Sequence, residues 1–184
     1  MFYTMNVAGL KRDLPICPVN EKLYIAGFVI FGDPELTECC ARELLKKAPE
    51  YDYIITAEAK GIPLAHEMAR QAGDQRYILA RKGPKLYMQD IVSVTVNSIT
   101  TAKEQKLYLD GADAKRLRGK RVLIVDDVIS TGESLKALEA LVEYAGGEIC
   151  GRMAILAEGD AQDRSDLIYL EKLPLFNPDG TIMG

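Results

Sequence analysis

Two adjacent carboxylates carry the first chemical signal in this chain. In VLIVDDVISTGES, residues 122–134, four apolar residues run straight into Asp126 and Asp127, and a Ser-Thr-Gly cluster follows before a helical pattern begins. Neighbouring carboxylates repel each other, so a pair at the end of a core segment is expected to face a ligand. Beyond them, Ile129, Ser130, Thr131, Gly132, Glu133 and Ser134 offer successive backbone N–H groups, hydroxyls and the positive end of a following helix. That arrangement suits a phosphate, and Gly132 lets the backbone come close to it. The aspartates cannot hold the same phosphate; they suit hydroxyl donors or a cation. A phosphorylated sugar satisfies both halves, with its phosphate on the amides and its hydroxyls on the carboxylates. A Walker-type loop would need G-x-x-x-x-G-K-[ST], which is absent. A phospho-receiver domain would need more chain after its acids than residues 128–184 provide.

The elements that must position this stretch alternate along the chain. YDYIITA (51–57), RYILA (76–80), RVLIV (121–125) and EICGRMAILA (148–157) read as strands. IPLAHEMARQA (62–72) reads as a helix, and so does ESLKALEALVEYAGG (133–147), with Leu135, Leu138, Leu141 and Val142 on one face and Gly146-Gly147 as its stop. The pattern predicts an α/β fold: a mostly parallel twisted sheet flanked by helices on both faces. Ligands bind such sheets at the carboxyl ends of strands. Three polar loops meet that description: AEAKG (57–61), RKGPK (81–85) and DDVISTGE (126–133). Residues 86–110 contain two alternating, β-branched runs with little that would pack deeply, and are expected to form a mobile hairpin or flap, counted from about residue 82. A single domain, 1–184, is expected, with residues 1–33 as a small lobe over the sheet's edge and 34–184 as the core.

Composition narrows the function classes. With 184 residues, 48% of them hydrophobic, the chain can bury one sizeable core. A net charge of −4 gives no footprint for a nucleic-acid backbone. The longest apolar run, YIAGFVIF (24–31), is far short of the roughly 20 residues that span a bilayer, and a cytoplasmic protein is expected. Cys17, Cys39, Cys40 and Cys150 lack metal or small-scaffold spacing and read as free thiols. The lone histidine, His66, reads as structural or exposed rather than catalytic.

VLIVDDVISTGES resembles the 5-phosphoribosyl-1-pyrophosphate (PRPP) motif of type I phosphoribosyltransferases, and the likeness extends over most of the chain. TAEAKGIPLA (56–65) is similar to the pyrophosphate loop of the adenine enzymes, with Lys60 where those usually have Arg. ARKGPKL (80–86) resembles the R-K-x-x-K-L segment that opens their flexible catalytic loop, and FGDPEL (31–36) sits where their N-terminal hood ends.

The resemblance implies that Asp126 and Asp127 hold the ribose hydroxyls and Ile129 to Ser134 the 5′-phosphate. It also implies that Glu58, Ala59, Lys60, Gly61, Arg81, Lys82 and Lys85 hold pyrophosphate. Asp126, Asp127, Arg81 and Lys85 would be the catalytic set. Mg²⁺ would bind through PRPP and water, with no direct protein ligand, and the enzyme would be a homodimer.

The acceptor base is expected to be a purine, adenine first, because Glu158 at the end of the AILA strand suits an exocyclic amine. Backbone groups at Val29 and Phe31 would contact the base. The alternatives are xanthine, hypoxanthine or guanine as acceptor, or a non-enzymatic PRPP sensor. NSITTAKEQ (97–105) lacks the Glu-Tyr pair of adenine enzymes and is closer to the flap of xanthine enzymes, yet Gly159 stands where xanthine enzymes carry a lysine.

Overall fold

A computed structural model describes residues 1–97 and 104–183. Its centre is a five-stranded sheet in the order β10-β9-β8-β4-β5, with β4 at Tyr53–Ala57, β5 at Ile78–Ala80, β8 at Arg121–Ile129, β9 at Glu148–Glu158 and β10 at Ile168–Leu173. Every neighbouring pair in it is parallel. The inner strands are apolar on both sides because both faces are covered, as a parallel sheet requires. Val122 to Val125 are all fully buried. Leu123 and Val125 join the core beneath helices α1 (Pro34–Leu45) and α2 (Gly61–Ala72), whereas Val122 and Ile124 join a second core beneath α3 (Gly111–Leu117) and α4 (Glu133–Tyr144). The face of α4 expected to be apolar is the buried one: Leu135, Leu138, Leu141 and Val142 all lie inside.

Strand β8 runs four residues beyond the RVLIV pattern, so both aspartates lie within a strand and not in the loop after it. The cause is tertiary. Pairing with β4 stops at Ile124, but pairing with β9 continues through Asp126 and Val128 to Ile129. Past Ile124 the side of β8 toward β4 is therefore open. From β4 the chain moves outward through α2 to β5, and from β8 it moves outward the other way through α4 to β9. The gap between the carboxyl ends of β4 and β8 is thus the switch point of the sheet, where a crevice forms without any side chain being removed.

The N-terminal lobe is a four-stranded sheet, β1 (Phe2–Val7), β2 (Leu10–Pro18), β3 (Tyr24–Ala26) and β11 (Leu175–Phe176), in that order. The first 33 residues therefore do not build the lobe alone; the chain's last strand completes it, and buried Phe176 meets Tyr3 edge to face. Residues 27–32 belong to no strand, so Val29 and Phe31 stand on an irregular segment with exposed side chains while Phe28 and Ile30 are buried.

The 86–110 segment forms the expected hairpin, β6 (Val92–Asn97) against β7 (Glu104–Leu109). It differs from expectation in packing: Leu107 and Leu109 are buried in the core under α4, and Tyr108 exchanges backbone hydrogen bonds with Arg81. Most of NSITTAKEQ, residues 98–103, lies outside the described residues. All four cysteines are free, and no helix among the described residues is long and apolar enough to cross a membrane.

Candidate active site

The candidate anion half of the site is the turn after β8. Ile129 is its last strand residue, Gly132 takes φ +75° and caps α4, and Asp126, Ser130, Thr131, Glu133 and Ser134 line a small cavity of about 60 Å³. Gly132 supplies the left-handed conformation that lets a strand turn into a helix within three residues. The α4 N-terminus has no side-chain cap, and the start of a helix is a place where backbone N–H groups and the helix dipole suit an anion.

The carboxylate half lies directly upstream. Asp127 is 3% exposed, and its Oδ2 sits 3.0 Å from the Lys60 ammonium, which also approaches the Phe28 carbonyl at 3.4 Å. The Asp127 N–H donates to Asp126 Oδ1 at 2.8 Å. Burial first, and the neighbouring Asp127 carboxylate second, push the Asp126 carboxyl well above the usual carboxylate range. This shift has a sign that can be tested. An acid with a raised value in the folded state favours folding most where it is protonated in both states, and loses that advantage as pH rises through the raised value. Asp126→Asn is therefore expected to stabilise the unliganded protein relative to wild type, and by more at pH 8 than at pH 4, in urea titrations; equal differences at both pH values would remove the burial account.

The loop after β4 faces the same crevice. Glu58 directly follows that strand, and its Oε1 lies 2.7 Å from Arg81 Nε while its Oε2 accepts from the Lys82 N–H at 2.8 Å. Arg81 Nη1 donates to the Tyr87 hydroxyl at 2.9 Å. Glu58, grouped with the cations by the sequence reading, thus acts here as the acceptor that orients Arg81 and the Lys82 amide. Lys60 does not group with Arg81; it turns toward Asp127 instead. Lys82 and Lys85 have exposed side chains, and Lys85 is held through its backbone, by Met88. Gly61 opens α2 directly over the buried Thr56: a Cβ there would sit 2.1 Å from Thr56 Oγ1 and 3.0 Å from Asp126 Oδ1. Thr56 and Tyr87 were not marked by the sequence reading. Thr56 left one signal, a lone hydroxyl inside the apolar run YIITA; Tyr87 left none.

Glu158 closes β9 opposite Leu173, half buried, and burial raises its carboxyl value while Lys60 opposes the rise. His66 is exposed on α2, its ring edge-on to Tyr77 at 6.1 Å. Among the described residues no cluster of three or more His, Cys, Asp or Glu could hold a metal ion.

The model of the phosphoribosyl transferase domain matches residues 37–172. A hypoxanthine/guanine phosphoribosyltransferase of Methanothermococcus okinawensis is 32% identical over 162 residues, covering 84% of each chain. A xanthine phosphoribosyltransferase of an Exiguobacterium species is 32% identical over 139 residues, 74% of this chain and 70% of that protein. Among solved structures, an adenine phosphoribosyltransferase from Thermoanaerobacter pseudethanolicus superposes with a TM-score of 0.71 at 23% identity, covering 86% of this chain and 95% of that one.

Proposed function

Since this chain belongs to the phosphoribosyl transferase family and is a pentosyltransferase, we propose that it transfers the 5-phosphoribosyl group of PRPP to a purine base and releases pyrophosphate. The observation that supports this most directly is the union, on one strand and its turn, of a carboxylate pair with an anion-binding helix start at the sheet's switch point. Asp126 and Asp127 take the ribose 2′- and 3′-hydroxyls, and the amides and hydroxyls of Ile129 to Ser134 take the 5′-phosphate. Arg81, Lys82, Lys85 and the Glu58–Gly61 loop take the pyrophosphate, with Glu58 orienting Arg81.

Displacement at C1′ passes through a loose, cationic transition state, so the residues have two tasks: to stabilise a highly charged leaving group and to keep water out. No strong nucleophile or imidazole base is required. Mg²⁺ fits this site through its ligand and not through a protein side chain: Asp126 and Asp127 are on the ribose hydroxyls, and an ion that keeps several waters and binds substrate phosphates would be held by PRPP and water. When bound, it would neutralise charge on the pyrophosphate. As part of the same proposal, the enzyme works as a cytoplasmic homodimer, the arrangement its family likeness implies.

Adenine is the acceptor that Glu158 supports, because a half-buried carboxylate at the end of β9 accepts from an exocyclic amine. A second reading, hypoxanthine, guanine or xanthine, is supported by the names of the two relatives and by the Lys60 ammonium, which would donate to a purine carbonyl from beside the Phe28 carbonyl. Incubation with PRPP, Mg²⁺ and each of the four bases decides between them: product from adenine alone selects the first reading, product from the oxopurines the second. Turnover with none of the four would overturn the proposal.

A further inference from the structure

We propose that Arg164 is a positioning residue of the phosphate-binding turn, bracing Gly132 from outside with the one guanidinium nitrogen that its ion pairs leave facing the turn. The proposal deepens the PRPP reading and rests on it. Residues 129–134 include no lysine or arginine and do include Glu133, although the ligand proposed for them is a dianion. The structure brings in a cation from more than thirty residues away: a Cβ on Gly132 would lie 3.3 Å from Arg164 Nη1. A side chain at Gly132 would be strained by φ +75° and would also press on the guanidinium.

Arg164 is held where it is by its other nitrogens. Its Nε and Nη2 donate to the two oxygens of Asp166 at 2.9 and 2.8 Å, a bidentate pair, and Nη2 lies 3.7 Å from Glu139 on α4. Glu139 also pairs with Arg152 of β9, and Arg152 Nε lies 3.5 Å from Asp166. A planar guanidinium gripped along one edge presents its remaining nitrogen in a fixed direction, which lysine could not do. Here that nitrogen, Nη1, faces the turn. The four charges tie β9, α4 and the segment after the 3-10 turn (Gly159–Asp163) together around the place where α4 begins.

Two substitutions separate bracing of the turn from upkeep of the ion cluster. Arg164→Gln removes the guanidinium at Gly132, whereas Arg152→Gln breaks the same cluster without touching the turn. Calorimetric titration with ribose 5-phosphate is expected to show an affinity about tenfold weaker for Arg164→Gln, the order of one charge-assisted contact, and unchanged for Arg152→Gln. In steady-state assays the KM for PRPP should rise by a similar factor in Arg164→Gln while kcat and the KM for the base stay within about twofold. Arg164→Lys should recover part of the loss, and the gap between Arg164→Gln and wild type should widen at low ionic strength. Equal affinity of folded Arg164→Gln and wild type, or equal losses in Arg164→Gln and Arg152→Gln, overturns the role of Arg164. Wild type that binds neither ribose 5-phosphate nor PRPP overturns the PRPP reading itself, and the inference with it.

Discussion

Asp127→Asn is expected to weaken PRPP binding by roughly 10- to 150-fold, the equivalent of about 1.5–3 kcal/mol for one hydrogen bond to a charged group. The carboxylate is 3% exposed, so little water competes for it, and a ribose hydroxyl that donates to it gains a full charge-assisted bond. Asparagine keeps the volume and planarity but loses the charge, and it presents an N–H₂ donor where an acceptor is needed. The fold should survive. Lys60, the partner left behind, has a side chain 46% exposed and can turn its ammonium to water and to the Phe28 carbonyl. Loss of the neighbouring charge should also let the Asp126 carboxyl fall back toward the ordinary range, since Asp127 is the second cause of its rise. Calorimetric titration with PRPP at fixed Mg²⁺, alongside a urea melt, measures both expectations. A PRPP dissociation constant equal to wild type in a folded variant would remove Asp127 from ribose recognition.

How much of this was legible in the sequence depends on the range of the interaction. The apolar runs and the 3.6-residue period of 133–144 located β4, β8, β9, α2 and α4 because those signals are local and the buried faces are continuous. The true end of β8 was not legible, since it depends on β9 pairing beyond the point where β4 turns away. Leu107 and Leu109 stand in a polar context, KLYLD, that hides their burial under α4. The two-residue strand Leu175–Phe176 carries no periodicity, so its place in the N-terminal lobe could only come from tertiary pairing.

Within the site, Asp126, Asp127 and the turn were legible because one continuous stretch carries them. Lys60 was legible as a cation but not as the partner of Asp127, which lies 67 positions downstream; its direction is set by how α2 starts against β8. Arg164 had no local signal. Its meaning comes from Asp166, Glu139 and Gly132 meeting in space.

Gly61→Ala should be the most disruptive single methyl in the site. In a helix, alanine for glycine ordinarily gains up to about 1 kcal/mol, and Gly61 has no left-handed φ to forbid it. Space alone opposes the change. The new Cβ would stand 2.1 Å from Thr56 Oγ1, 3.4 Å from Thr56 Cβ and 3.0 Å from Asp126 Oδ1. Thr56 is fully buried on β4, and its hydroxyl has no hydrogen-bond partner among the described residues. A β-branched side chain is stiff at χ1, one of the two other staggered rotamers puts the methyl in the vacated place, and the other has to seat both branches anew in a fully buried position, so rotation gives no cheap relief. The start of α2 must therefore lift, at an overpacking cost of about 1–3 kcal/mol that reverses the usual helix gain.

Lys60 precedes Gly61, and Asp126 touches the same space, so the displacement should weaken PRPP binding together with stability. Thr56→Ala supplies the control. It deletes the hydroxyl, which has no hydrogen-bond partner among the described residues, together with a buried methyl, so alone it should cost about 1 kcal/mol, yet in the Gly61→Ala background it should restore most of the lost stability. Urea unfolding of the four proteins gives the coupling energy directly. Gly61→Ala as stable as wild type, or a double variant no better than the single one, would refute the steric account. A large coupling accompanied by recovered PRPP affinity would mean that the turn after β4 and the carboxylates of β8 act as one unit, in contact at a position that only hydrogen can occupy.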